Sequence, residues 1–312
     1  MLELPRVSVI VPVRDGAAVI RTLLDALASL DYPDDAYECI VVDNGSRDDT
    51  RQIVAACPGV TLVEERAVQS SYAARNRGVA HATGTILAFT DADCVPDRGW
   101  LRALVGPFAR ADVGGVAGGV EAYSVWTAAE RYQARRAIRA ERAFSHPVMP
   151  FAQTANAAYP RRLFDAVGGF DATIPFGGDL DFSWRLQRAT GLRLVYEPTA
   201  LVRHRHRTSW QGVFALYQKN AIANCLLSRR YAHYAAYPRP RTLAYLTREC
   251  LRSGMRAALH RAREDGGTPD EHWVDVARYA GEISGWVRWR AGRVVLPTVA
   301  PGYPLTAKRA EA

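Results

Sequence analysis

The chain has 312 residues, 48% of them apolar and 23% charged, with a formal net charge of +8. This suffices for one large α/β domain or two modest ones, and the balance is that of an ordinary globular protein. No run of 18 apolar residues occurs, which argues against a membrane-spanning helix, and the acidic residue after Met1-Leu2 is unlike a signal peptide. The five cysteines (Cys39, Cys57, Cys94, Cys225 and Cys250) show no paired spacing, so neither a zinc site nor a disulfide framework is expected. A reducing cytoplasm is the easier setting for such thiols. The positive charge is nearly all arginine and suits an anionic partner such as a nucleoside diphosphate or an acidic membrane surface. Nucleic acid is disfavoured, because no zinc-finger, RNP or basic-zipper pattern accompanies the charge.

Residues 7–13, Val-Ser-Val-Ile-Val-Pro-Val, form a largely β-branched run, the mark of a strand buried on both faces of a parallel sheet. Helical spacing follows over 19–30, then a second strand at 38–42 that runs into Asp43-Asn44-Gly45-Ser46. A helix is expected over 50–57, capped by Asp49 or Ser46. A third strand is expected at 60–63, a helix over 70–83 broken by Gly78, and a fourth strand at 85–89. This is repeated β-α wrapping with polar turns at the strand ends. It contains neither Gly-x-Gly-x-x-Gly after the first strand nor Gly-x4-Gly-Lys-Ser/Thr, so common dinucleotide binding and P-loop chemistry are unsupported.

Three polar clusters converge on the carboxyl edge of such a sheet, where ligands of open α/β sheets bind. Asp43 ends the second strand and can accept hydrogen bonds from a base or a sugar hydroxyl, or simply form a turn. Arg75 can address a diphosphate with its guanidinium fork, or face solvent from a helix. Asp91 and Asp93 follow the fourth strand, where carboxylates can hold a divalent cation against a diphosphate, or cap the next element. A nucleotide with a metal-bridged diphosphate satisfies all three clusters together.

The segments Val9-Ile10-Val11-Pro12-Val13-Arg14, Val41-Val42-Asp43-Asn44-Gly45-Ser46, Ala74-Arg75-Asn76-Arg77-Gly78 and Asp91-Ala92-Asp93 resemble, in order and spacing, the inverting nucleotide-sugar glycosyltransferases of family 2. The resemblance covers roughly residues 6–210. It implies an α/β GT-A fold, a Rossmann-like sheet continuing into an acceptor-binding part. Pro12 and Arg14 would border the nucleotide pocket, Asp43 would contact the base and Arg75 would hold the nucleotide. Asp91 would touch the ribose or the metal shell, and Asp93 would ligate Mg²⁺ or Mn²⁺.

In the second half, the glycine-rich stretch 114–120 reads as a strand in close backbone contact, and 127–144 as a long arginine-rich helix with a solvated face. The segment 153–171 matches the family's strand and short helix at the floor of the sugar pocket. There Asn156 is either a hydroxyl contact or a core amide. In Gly177-Gly178-Asp179-Leu180-Asp181 the two carboxylates are too close along a helix to share a face, so one can look into a cleft while the other is structural. The family's segment usually reads Glu-Asp-x-Asp and its second residue is the proposed general base, which carries over to Asp179; Gly178 departs from the pattern. Arg185 is placed to bond Asp181.

Residues 192–196 form a short strand, and Arg203-His204-Arg205-His206 puts two imidazoles on one face if extended. By resemblance His204, with His206 as second choice, lies near the diphosphate or on the metal. An amphipathic helix is expected over 210–227, where Gln218-Lys219-Asn220 partly matches a family segment that closes over the donor. Two more helices, 243–262 and 272–290, carry apolar stripes that would pack on each other or on the main domain. Expected organisation is a GT-A domain at 1–236 (nucleotide half 1–98, acceptor half 99–236), a helical extension at 237–300, and a disordered tail at 301–312. The implied activity is metal-dependent inverting transfer of a hexosyl or deoxyhexosyl group from a nucleoside diphosphate sugar to a hydroxyl of a glycan, lipid-linked or small-molecule acceptor. The runner-up readings are a sugar nucleotidyltransferase and a non-catalytic sugar-nucleotide-binding protein. The C-terminal helices would also suit peripheral membrane contact or a homodimer.

Overall fold

Alternation of side chains decides the core. In β1 (Val7–Val13), Val7, Val9, Val11 and Val13 pack to one side of the sheet and Ile10 to the other, as the two-residue period of a strand requires. The computed structural model describes residues 4–297 except 137–139, 235, 237–239 and 264–269. The boundary expected at Pro238-Arg239-Pro240 lies largely outside the described residues, and the linker 264–269 and the tail after Pro301 lie wholly outside them.

From β1 the chain continues through α1 (Ile20–Ala28), β2 (Tyr37–Asp43), α2 (Thr50–Ala55), β3 (Val60–Glu64), α3 (Ser71–His81) and β4 (Ile86–Thr90). Strand β1 pairs in parallel with β2 and β4, and β2 in parallel with β3. Then come β5 (Cys94–Pro96), α4 (Trp100–Val105), β6 (Val113–Ala122), α5 (Ala128–Arg136), α6 (Ala140–Phe144), β7 (Asn156–Pro160), α7 (Arg161–Val167), α8 (Gly178–Thr190) and β8 (Arg193–His204). Helices α9 (Trp210–Arg230), α10 (Leu243–Arg263) and α11 (Asp270–Arg290) complete the described chain. The eight-stranded sheet has the order β3-β2-β1-β4-β7-β6-β8-β5. Strand β7 runs antiparallel to β4 and β6, and β5 antiparallel to β8. A parallel, Rossmann-like half thus continues into an antiparallel half.

Helices α1 and α4 cover one face of the sheet, and α3, α7 and α8 the other. On the second face Phe89, Phe164, Phe170 and Phe182 meet in stacked, tilted and edge-on pairs, with ring centroids 4.9–5.7 Å apart. Such a cluster ties α7 and α8 to β4 by large buried rings. Helix α3 is not broken at Gly78 but runs through it. A Cβ there would stand 2.7 Å from Ile10 Cγ2 and 3.0 Å from Val42 Cγ2, so the glycine permits close packing of helix on sheet. The glycine-rich β6 has the same cause, since a Cβ on Gly118 would lie 2.2 Å from Asn156 Nδ2 and 2.3 Å from the Ala200 carbonyl.

Other expectations need correction. Asp49 occupies the N-cap of α2 but makes no side-chain cap hydrogen bond; Asp48 accepts the Thr50 N–H at 3.1 Å instead. Strand β8 is one continuous twelve-residue strand through Glu197-Pro198. The short β5, with no periodicity to mark it, follows the Asp91–Asp93 turn directly.

The chain divides into two compact units. The first comprises the described residues within 1–121 and 139–204, with 297; the second those within 122–138 and 205–296. In the second unit α11 packs against α9, α10 and α5. Gly281 and Gly285 make this close, since their Cβ atoms would meet the Phe214 and Gln218 carbonyl oxygens at 2.4 Å. Gln218 lies in mid-helix and donates to Ser284 Oγ at 2.7 Å, so Gln218-Lys219-Asn220 is part of a helix and not a loop that closes over a donor. The α10 stripe splits. Leu246 is buried, whereas Leu251, Met255 and Leu259 are exposed.

Candidate active site

Two loops at the carboxyl edge of the parallel half are tied to each other. Asp15, a non-glycine residue at φ +51°, donates its N–H to Ser46 Oγ at 2.9 Å and accepts the Arg47 N–H at 2.8 Å. Aspartate tolerates this left-handed conformation better than most residues. Gly16 and Ala17 add bonds to Thr50 Oγ1 and Asp48 Oδ2. The effect is to fix the chain beside Pro12, which is partly buried, and Arg14, whose side chain is 41% exposed. Asp43 ends β2 opposite Val13, is 1% exposed, and accepts the N–H groups of Gly45 and Ser46 at 3.2 Å. It forms the turn, and only its remaining lone pairs are left for a base.

Arg75 does not face solvent. It is 4% exposed on α3 and pairs with Asp91 Oδ1 at 2.5 Å, while its Nε is buried with no hydrogen-bond partner among the described residues. A buried guanidinium with unused donor capacity is suited to an anion. Asp91 is the first residue beyond β4, and Asp93 lies two further on, before β5. The antiparallel register of β5 and β8 sets Cys94 opposite His204. His204 Nε2 comes within 3.4 Å of Asp93 Oδ1, and one ligand atom each from Asp93, Cys94 and His204 lies within 4.8 Å of the others.

At the start of α8 the two carboxylates diverge as their spacing requires. Asp181 is fully buried and bonds Arg185 Nε at 2.8 Å; Arg185 in turn donates to the Val167 and Gly169 carbonyls. Asp179 turns toward α3, where the Tyr72 hydroxyl lies 3.5 Å from its Oδ1, and it also accepts the Leu180 N–H at 3.0 Å. Burial raises the Asp179 carboxyl above its ordinary value of 3.8, against the Leu180 N–H, the Arg75 charge and the Thr154 N–H, which lower it. A carboxylate raised in this way is suited to proton abstraction nearer neutral pH.

The sequence profile of glycosyl transferase family 2 matches residues 8–168. The chain belongs to that family. This family-2 chain is similar to glycosyltransferase AglE of Haloferax volcanii, 38% identical over 188 residues that make up 58% of this chain and 61% of that one. It is also similar to the pre-mycofactocin glycosyltransferase of Mycobacterium tuberculosis, 35% identical over 210 residues, 65% of this chain and 43% of that one. It thus spans less than two-thirds of either relative's length. Among solved structures, the mannosyltransferase PcManGT of Pyrobaculum calidifontis in complex with GDP-Man and Mn²⁺ superposes with a TM-score of 0.62 at 24% identity, covering 94% of this chain and 89% of that one. At that identity the likeness carries the fold, which is GT-A.

Within this family-2 site the structure joins Asp179, Tyr72, Arg75 and Asp91 by successive contacts, and Asp93 to His204. Asn156 stands apart and corrects the expectation of a ligand contact. It is 1% exposed, accepts the Trp100 indole N–H at 2.8 Å, and donates to the Gly119 and Ala200 carbonyls at 2.8 and 2.6 Å. With both amide protons committed it is a core amide that holds four segments together. His206 lies beyond the end of β8, in the second unit. Tyr72 was missed; its signal is its place one turn before Arg75 on the same face of α3.

The residues present fit a divalent cation. Two atoms in adjacent octahedral positions on Mg²⁺ lie about 3 Å apart, from metal–ligand distances of about 2.1 Å. The Asp93–His204 separation of 3.4 Å is close to this. The carboxylate suits Mg²⁺ or Mn²⁺, and the imidazole beside it is the better fit to Mn²⁺, since Mg²⁺ prefers oxygen ligands. Cys94 is the least suited of the three, because a thiol is a soft ligand and Mg²⁺ and Mn²⁺ favour carboxylate oxygen.

Proposed function

We propose that the protein transfers a sugar from a nucleoside diphosphate sugar to an acceptor hydroxyl, with inversion at the anomeric carbon. The observation that carries this reading is the placement of Asp179, with a raised carboxyl, in the same contact chain as Arg75 and Asp91. Asp93 and His204 would hold Mg²⁺ or Mn²⁺, which when bound neutralises charge on the leaving diphosphate. Arg75 offers its unused Nε donor to the same phosphates, and Pro12, Arg14 and the turn built by Asp43 border the nucleotide. Asp179 takes the proton of the acceptor hydroxyl as its oxygen bonds to the anomeric carbon. The electron pair of the breaking glycosidic bond leaves with the nucleoside diphosphate. Base and leaving group on opposite faces make this a single displacement without a covalent intermediate.

The donor in the solved relative is GDP-mannose, which makes it a first candidate beside UDP-sugars. Free cysteines throughout fit a reducing, cytoplasmic setting. No helix of the described residues is long and apolar enough to cross a membrane. The exposed row Leu251, Met255 and Leu259 on α10 runs beside exposed Arg248, Arg252 and Arg256. That pairing supports peripheral contact of α10 with an anionic membrane surface.

The direct test is a panel of nucleotide sugars, each with Mn²⁺ or Mg²⁺, followed for products. Metal-dependent release of a nucleoside diphosphate from at least one donor is expected. Pyrophosphate release from a nucleoside triphosphate and a sugar phosphate would point instead to a nucleotidyltransferase. Binding without turnover across donors and acceptors would point to a sensor.

A further inference from the structure

Tyr72 projects from α3 on the same face as Arg75 and is 5% exposed. Its hydroxyl lies 3.5 Å from Asp179 Oδ1, and the N–H groups of Gly178 and Asp179 also face its oxygen. Helix α8 needs this, for the residue at its start, Gly177, is left-handed at φ +79° and supplies no side-chain cap. The first N–H groups of a helix have no partner within it. Gly178 makes room for the ring. A Cβ at that position would stand 2.8, 2.9 and 3.0 Å from Cε2, Cζ and Cδ2 of Tyr72, closer than such atoms approach. The Arg75 guanidinium lies over the ring, 5.5 Å from the centroid, and is paired with Asp91.

We propose that Tyr72 is a positioning residue for Asp179: lodged in the space Gly178 leaves, its hydroxyl holds the carboxylate in one rotamer and hydrogen-bonds its charged form. This rests on the reading of Asp179 as the base. Burial keeps the phenol protonated, so it is the donor. The other groups facing Asp179 are Arg75 from α3, Tyr159 from β7 and the Thr154 N–H. Of these, Arg75 is already paired with Asp91 and Tyr159 is near the Ser183 hydroxyl, 3.2 Å away. Neither replaces the Tyr72 hydroxyl.

The test follows the Asp179 carboxyl carbon by ¹³C NMR in aspartate-labelled full-length protein, its signal assigned by loss in Asp179→Asn. Alongside, kcat is measured with the nucleotide sugar that the wild type consumes fastest, and affinity with Mn²⁺ and GDP or UDP. In Tyr72→Phe the Asp179 pKa should rise by about half to one unit, since a hydrogen bond to the charged form is lost. The acid limb of kcat should move with it, and kcat should fall about tenfold. Nucleotide affinity should stay within about twofold. Gly178→Ala, which displaces the ring, should give the same pattern with the phenol intact. An unchanged Asp179 pKa and kcat in Tyr72→Phe, with Asp179→Asn inactive, overturns the proposal and leaves the base assignment standing. Transfer retained by Asp179→Asn overturns both.

Discussion

Each carboxylate at this sheet edge has a different neighbour, and that neighbour decides what it can do. Asp181 is neutralised by Arg185 and holds a helix; Asp43 is spent on a turn; Asp91 is paired with Arg75. Asp179 is half-buried without a direct cationic partner, and desolvation raises its pKa above the ordinary value. Replacing it with Asn should lower transfer by roughly 10²–10⁴-fold, the usual contribution of a general base. Nucleotide affinity should be preserved, and retained transfer contradicts the role. A base must be deprotonated to act, so activity should be full above the raised pKa and be lost as pH falls through it. The acid limb of kcat should therefore lie above 3.8, the ordinary aspartate value, and should vanish from the residual rate of the Asn variant. Asn156→Ala tests the opposite kind of residue. It strands the Trp100 indole N–H and two carbonyls in the core, at about 1–3 kcal/mol for each group left unsatisfied. A fall in Tm with unchanged nucleotide affinity is expected, and weaker nucleotide binding at an unchanged Tm contradicts it. That Asp179 and Asp181 would take different partners could be read from their spacing. Whether Asn156 reaches a ligand could not, because the carbonyls it binds lie 37 and 44 residues away in the chain.

At the level of elements, local patterns were read well where both faces of a strand are buried. β1, β2 and β4 are dense in apolar residues, interrupted by Ser8 in β1 and Glu38 in β2, and most of their residues lie in the core. The misreadings share one cause, which is that packing partners distant in sequence override local signals. Gly78 looks like a helix breaker but is the contact that lets α3 approach β1 and β2. β5 has three residues and exists because β8 pairs with it. On α10, Leu251, Met255 and Leu259 repeat with a helical period that suggests burial, yet they are exposed. Their proximity to three arginines yields a prediction for that helix alone. The wild type should float with vesicles containing phosphatidylserine, and the Leu251→Asp/Met255→Asp double variant should not. Absence of flotation by the wild type, with a concentration-dependent dimer in sedimentation velocity, would assign the face to a second copy of the chain.

For the molecule as a whole, the decisive feature is that one sheet changes from parallel to antiparallel across β4 and β7. Asp91 and Asp93 leave β4 at that seam, Tyr159 of β7 faces Asp179, and β8 returns His204 to Asp93. A nucleotide half was legible from its β-α rhythm, and the family from four motifs taken together. The antiparallel half was much less so, since β7 lies between β4 and β6 for reasons of long-range pairing that no local run encodes. The net charge of +8 fits an anionic donor without selecting one. The most direct measurement is diffraction at the manganese edge from crystals soaked with Mn²⁺ and a non-hydrolysable nucleotide sugar. A manganese peak between Asp93 and His204, touching the diphosphate, with the anomeric carbon facing Asp179, is the expected result. Manganese bound elsewhere, or Asp179 opening into a cavity that the sugar does not enter, would contradict it.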